Sequence, residues 1–254
     1  MGEEEVKLNL DADVQNQFSS SNVRAGILKL RVMINVGGLM LPAEFTVTTN
    51  TNRTRGVHMS RLVEAVNLNS TGRHLEDSLK LIAQEVEKTQ SGAEVACSLE
   101  YPFRDIFVKV RVGLMNSKYM YMVTVPGITA CPCSKEVAGI GHMQRAWLTI
   151  GVCGSKYMDL EETALKMLDC FSATTTEFMK RPDEGLKVLD SQGNPKFVED
   201  VVRDAAKRFP EAFFIRARSE ESIHMHDAVA YLFPKKRVRA LSEASQWLLR
   251  SYDV

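Results

Sequence analysis

Apolar and polar positions change period several times along the 254-residue chain, and each change predicts an element. Residues 23–36 (VRAGILKLRVMINV) and 42–49 (PAEFTVTT) read as two strands separated by a Gly-Gly turn. Two helical patterns follow. One begins near Ser60; the other sets Leu75, Leu79, Ile82, Ala83 and Val86 on one face. Strands at about 93–101 and 106–114, joined around Pro102, complete the round.

The second half restarts the same order. Tyr119, Tyr121, Val123 and Val125 alternate with Met120, Met122 and Thr124, a strand pattern. Residues 142–152 form another, with His142 at its start and Gln144 on the same face. Asp159 with Glu162 resembles an N-cap box ahead of the stripe Leu160, Ala164, Met167, Leu168 and Phe171. Asn194-Pro195 opens a second helix with Val198, Val201, Val202, Ala205 and Phe209 inward. Strands at about 212–219 and 222–232 close the half, and a short helix is expected around 240–250. Both halves thus read strand, strand, helix, helix, strand, strand. This predicts an α+β fold of antiparallel sheets, each covered on one face by paired helices. The expected divisions are a tail at 1–22, a first module at 23–115 and a second at 116–254. Two such sheets leave open edges, so sheets that continue between modules or subunits of a homo-oligomer are the natural remedy.

Charge removes some readings. Thirty-two basic residues balance 32 acidic ones, which argues against a broad nucleic-acid surface. With 44% hydrophobic residues the chain is also not of disordered composition. The acidic start MGEEEV lacks the layout of a signal peptide, and the longest uncharged run, 119–134, is short and broken by two prolines and a glycine. Neither nucleic acid nor membrane is an expected partner. Five cysteines at irregular spacing suit a reducing cytoplasm. Lys235, Lys236, Arg237 and Arg239 read as a solvated basic cluster.

The richest chemistry lies in 126–145, PGITACPCSKEVAGIGHMQR. Cys131 and Cys133 would point in opposite directions from an extended segment, so both sulfurs on one metal is not the default. Either both are loop cysteines that pack, or one does chemistry, with Lys135 favouring its thiolate. His142 begins a strand, and His224 and His226 in ESIHMHDA lie two apart on another expected strand, so both imidazoles face the same side. The pair is either exposed or ligating. A thiolate with imidazoles, completed by a carboxylate, would suit Zn, Fe or Mn. Asp227 faces away from the pair and is expected to orient a neighbour. Glu184 lies at the end of the first helix of this half or in the loop after it, and Glu199 flanks the buried stripe of the second. In 53–61, Arg53, Arg55, Arg61 and the helix start form either a charged loop or an anion site.

Taken together, RGVHMSR (55–61), GITACPCSKE (127–136), GHMQR (141–145), NPKFVEDVVR (194–203), ESIHMHDA (221–228) and DVQN (13–16) resemble the type IB GTP cyclohydrolases. The resemblance spans nearly the whole chain. It implies a tunnelling fold with two modules per chain, a homotetramer, and conversion of GTP and water to 7,8-dihydroneopterin triphosphate and formate at the entry to tetrahydrofolate synthesis. It implies a divalent metal (Mn, Fe or Zn) held by Cys131 and His142, with Glu184 and His224 or His226 where further ligands are expected. Glu199 matches the glutamate that anchors guanine. Further substrate contacts are expected from His58, Arg61, Lys135, Gln144 and Arg145. Two departures concern cavity shape: the cysteine-to-histidine loop is one residue shorter than usual, and Met143 and Met225 stand where polar residues are commoner. The alternatives are the archaeal enzyme making the 2′,3′-cyclic phosphate, the nitrile reductase of the same fold, and a non-catalytic metal- or pterin-binding module.

Overall fold

The computed structural model describes residues 12–71, 74–115, 117–154 and 156–234. The expected C-terminal helix and the basic cluster lie outside the described residues. β1 (Arg24–Val36) and β2 (Leu39–Asn50) form the first hairpin. Gly37 and Gly38 both take positive φ at its turn, 60° and 93°, as a tight two-residue hairpin turn requires. α1 (Met59–Asn69) and α2 (Leu75–Glu87) follow, then β3 (Ser91–Phe103) and β4 (Ile106–Met115). The remainder runs β5 (Lys118–Ala130), α3 (Pro132–Ala138), β6 (Met143–Gly154), α4 (Leu160–Leu168), α5 (Arg181–Gly193), α6 (Val198–Arg208), β7 (Phe214–Ser219) and β8 (Ala228–Leu232).

The eight strands among the described residues make one antiparallel sheet in chain order rather than two separate sheets. β4 turns straight into β5 and pairs with it from Met115↔Lys118 to Lys109↔Thr124. An edge that would have stood open between the halves is thereby closed.

α1, α2, α4 and α6 bury their stripes against one face of this sheet. Leu79 and Ile82 of α2 and Val201 and Ala205 of α6 are fully buried, in one core with Phe45, Val110, Val123, Leu148 and Ile215 of the strands. Each large side chain withdrawn from water in this way contributes about 1.5–3 kcal/mol before entropy is counted. Asp159 caps α4 as expected, accepting from Glu162 N at 3.0 Å. Among the described residues, no helix is long and apolar enough to cross a membrane.

Four local expectations are corrected. Cys131-Pro132-Cys133 is not extended: Cys131 caps α3 and Pro132 opens it, its fixed φ suiting a first helical turn. Glu184 sits in the first turn of a separate helix, α5, not at the end of α4. The helix expected to open at Asn194-Pro195 begins at Val198, since Asn194 ends α5. His224 and His226 lie in a bent segment, 222–226, and the strand starts only at Ala228. That segment is exposed throughout, so no alternating buried face holds it extended.

Candidate active site

Antiparallel order sorts the loops between two ends of the sheet. β5 ends at Ala130 opposite Met143 of β6, and β7 ends at Ser219 opposite Ala228 of β8. Cys131, His142 and the 220–227 segment therefore gather at one end. Asn50 of β2 pairs with Ser91, where β3 begins, which is the other end. The loop after β2 leaves from there, carrying His58 and leading into α1, whose first turn holds the exposed Arg61.

The two strands of the β5–β6 hairpin close tightly around α3. Cys131 N donates to His142 O at 2.9 Å. Gly141 makes this approach possible, because a Cβ there would lie 2.5 Å from the Cys131 carbonyl oxygen. The last turn of α5 clamps the same loop: Gly141 N donates to Gln192 Oε1 at 2.8 Å, and Gln192 Nε2 donates back to Gly141 O at 2.9 Å. Lys135 Nζ donates to the Gln192 carbonyl, so its ammonium is engaged by backbone. The Cys131 sulfur is half-buried and accepts from Ser134 N at 3.4 Å, whereas Cys133 is exposed.

His142 has its ring orientation set from behind. Nδ1 lies 2.8 Å from Gln144 Oε1, 3.4 Å from Ser222 Oγ and 3.8 Å from Glu221 Oε2. An amide oxygen and a carboxylate both call for Nδ1–H, which leaves the Nε2 lone pair as the reactive position of the neutral ring. Glu221 is itself held, accepting from Ser219 Oγ. The His224 ring stands edge-on to His142 with centroids 6.4 Å apart, and His224 stacks on His226 at 5.0 Å. The two histidines thus lie side by side although the segment is not a strand. Asp227 accepts from Arg218 Nε at 2.7 Å, the orienting contact expected of it.

The other candidates divide. Lys196 N donates to Ala130 O at 3.0 Å, so α6 begins beside the Cys131 end, with Glu199 exposed in its first turn. Glu184 is exposed eight residues before Gln192, about 12 Å along the α5 axis from the clamp. Arg145 alternates with Gln144 and so faces away from His142. His58 approaches the N-terminal motif, with Nε2 3.4 Å from Asn16 Oδ1, and Gly56 N donates to Gln15 O at 3.1 Å. DVQN and RGVHMSR are therefore one packed unit, distant in sheet position from Cys131.

By donor type, a thiol with imidazoles suits a divalent transition metal. Among the described residues, however, no three or more His, Cys, Asp or Glu side chains stand close enough to share one ion. Sequence reasoning missed Glu221, Ser222 and Gln192. Glu221 opens the ESIHMHDA stretch, but its pairing with His142 spans 79 residues and has no local signature.

A family model described as type I GTP cyclohydrolase FolE2 matches residues 12–230. Curated relatives named GTP cyclohydrolase FolE2 agree. The protein from Nitrosospira multiformis is 30% identical, over 88% of this chain and 96% of its own length. That from Exiguobacterium sp. is 32% identical, over 89% of this chain and 87% of its own. That from Kosmotoga olearia is 33% identical, over 69% and 76%.

Proposed function

The chain belongs to the type I GTP cyclohydrolase FolE2 family, and from that membership we propose that it hydrolyses GTP at guanine C8 to 7,8-dihydroneopterin triphosphate and formate, the first step of tetrahydrofolate synthesis. The observation that carries the reading is the Cys131–His142 closure, which brings a thiol and an imidazole to one end of the sheet.

In this proposal Cys131 and His142 hold a divalent ion (Mn, Fe or Zn), with Glu184 and either His224 or His226 as the remaining ligand candidates. When bound, such an ion supplies Lewis acidity. Glu199 accepts from the N–H groups of the guanine edge; a carboxylate there orients the base and leaves C8 directed toward Cys131 and His142. Gln144 and Glu221 keep the proton on His142 Nδ1. The neighbouring imidazole of the His224–His226 pair takes and returns the protons that ring opening and formate loss require.

The finer architecture is part of the same proposal: a tunnelling fold of two modules, 23–115 and 116–254, assembled as a homotetramer. Two observations support it. His58 and Arg61 leave the opposite end of the sheet from Cys131, so a site using both sets draws on two chains. Val137, Ile140, Leu189, Ile223 and Met225 are exposed around the Cys131 end, an apolar rim that a second copy would cover. Five cysteines at irregular spacing support a reducing, cytoplasmic setting.

Purified protein is incubated with GTP and Mn(II), Fe(II) or Zn(II), and formate and a fluorescent oxidised pterin are measured. Both are expected. No pterin with any metal would refute the proposal. Product mass and phosphatase sensitivity separate the linear triphosphate from the cyclic phosphate.

A further inference from the structure

The sheet face turned away from the helices carries a cavity of about 240 Å³ lined by Lys109, Thr124, Trp147, Thr149, Arg216 and Arg218, with Glu220 at its edge. We infer that it binds a small sugar phosphate, on the sheet face opposite His142, with only Glu220 of its lining drawn from the segment at the Cys131 end.

Register explains why a hollow exists. Lys109, Thr124, Thr149 and Arg216 form one row straight across β4, β5, β6 and β7. Two short threonines, whose hydroxyls lie 2.8 Å apart, make the floor between two long cations. Their core neighbours Val110, Val123, Leu148 and Ile215 point to the helices, so by alternation the row points the other way. The next row adds Trp147 paired with Arg218, whose guanidinium lies 5.7 Å from the indole centroid. Asp227 at 2.7 Å and Glu220 at 3.8 Å hold Arg218 in place.

Chemistry selects the ligand. Lys109, Arg216 and Arg218 line the cavity with Glu220, and Asp227 pairs with Arg218 from beside it, which leaves one positive charge over and favours an anion. A guanidinium held in place matches a phosphate's paired oxygens, and an ammonium and hydroxyls can bind the rest. Glu220 repels a bare anion but accepts from hydroxyls, and an indole face packs the C–H surface of a sugar. A phosphate monoester carrying a small polyol or sugar meets all three. Trp147 is five residues beyond His142, about 17 Å along the strand and on the opposite face. Lys109 and Arg216 are therefore clear of His142, and binding there is measured apart from the reaction at Cys131.

The test uses the full chain carrying Trp247→Phe, leaving Trp147 as the sole tryptophan. Ribose 5-phosphate is titrated against Trp147 fluorescence, with inorganic phosphate and potassium chloride at matched ionic strength as controls. A saturable change is expected, tighter for ribose 5-phosphate than for phosphate and at least tenfold weaker in Lys109→Glu and in Arg216→Ala. GTP turnover should be unchanged in Lys109→Glu. If Arg216→Ala lowers thermal stability, the exposed Lys109 carries the comparison. The assignment is overturned by no saturable signal, by binding no tighter than phosphate, by affinity that survives Lys109→Glu, or by turnover that falls with it.

Discussion

α2 and α6 begin alike, with Leu75-Glu76-Asp77 and Val198-Glu199-Asp200, yet the two glutamates have opposite fates. Glu76 is buried, 6% exposed, and accepts from Tyr121 Oη at 2.5 Å, while Tyr119 Oη donates to its carbonyl at 3.3 Å. Glu199 is exposed, bordering an open cavity shared with Arg203, Lys207 and Tyr231. The neighbours decide. β5 supplies hydroxyls beneath α2, whereas the inward residues of β7 and β8 beneath α6 include Ile215, Ala217 and Ala230, and Ser219 donates to Glu221 instead. A buried carboxylate whose hydrogen bonds are met serves the fold; one left open beside the Cys131 end is available to a ligand.

Glu199→Gln breaks the comparison most sharply. It should lower kcat/KM for GTP by about a hundredfold or more, on the order of 3 kcal/mol, with the melting temperature unchanged. Steady-state kinetics beside a thermal melt checks both. Next is Gly141→Ala, whose Cβ would meet the Cys131 carbonyl at 2.5 Å and pry the closure apart. A loss of roughly tenfold or more in turnover is expected, with the fold retained by circular dichroism, because a small displacement of reacting groups is costly.

Glu76→Ala should invert the first result. Removing Glu76 leaves the buried Tyr121 O–H without its acceptor and is expected to cost about 1–3 kcal/mol in a denaturant melt, with turnover per folded molecule kept. Normal stability in this variant would erase the contrast between the two glutamates.

The smallest effect is alkaline. Burial and the Glu76 hydrogen bond push Tyr121 upward, and the Asp77 hydrogen bond pushes Tyr157 up to about 12. Groups whose pKa is raised by folding contribute stability that is fully present below their unfolded value, near 10. That contribution is lost as pH rises through the folded values. Ultraviolet titration should show late-ionising tyrosines, and Glu76→Ala should bring Tyr121 back toward ordinary behaviour.

These contrasts bear on what was legible in the sequence. α2 and α6 were readable because their apolar stripes face a core: Leu79, Ile82, Val201 and Ala205 recur at helical spacing and are buried. α5 was missed because Leu186, Val188 and Leu189 are exposed and only Ser191 is buried, so no stripe marks it. Its signals were terminal: Pro182 in the opening turn, followed by Asp183 and Glu184. The same holds for α3, framed by the Cys131 cap and by Gly139 at φ 77°. In the site, alternation correctly put Gln144 beside His142, since both belong to one hairpin. It failed for His224 and His226, whose segment has no buried face. Glu221 and Gln192 reach their partners across the fold, which no short-range pattern records.

The Cys131–His142 end of the sheet is the proposed reaction centre. Formate release from GTP by Cys131→Ala, measured beside the unaltered protein with the same added metal, tests it most directly. Formate is expected to fall to background, by about a thousandfold or more, with the melting temperature preserved. Formate release at the unaltered rate would place the chemistry elsewhere and contradict it.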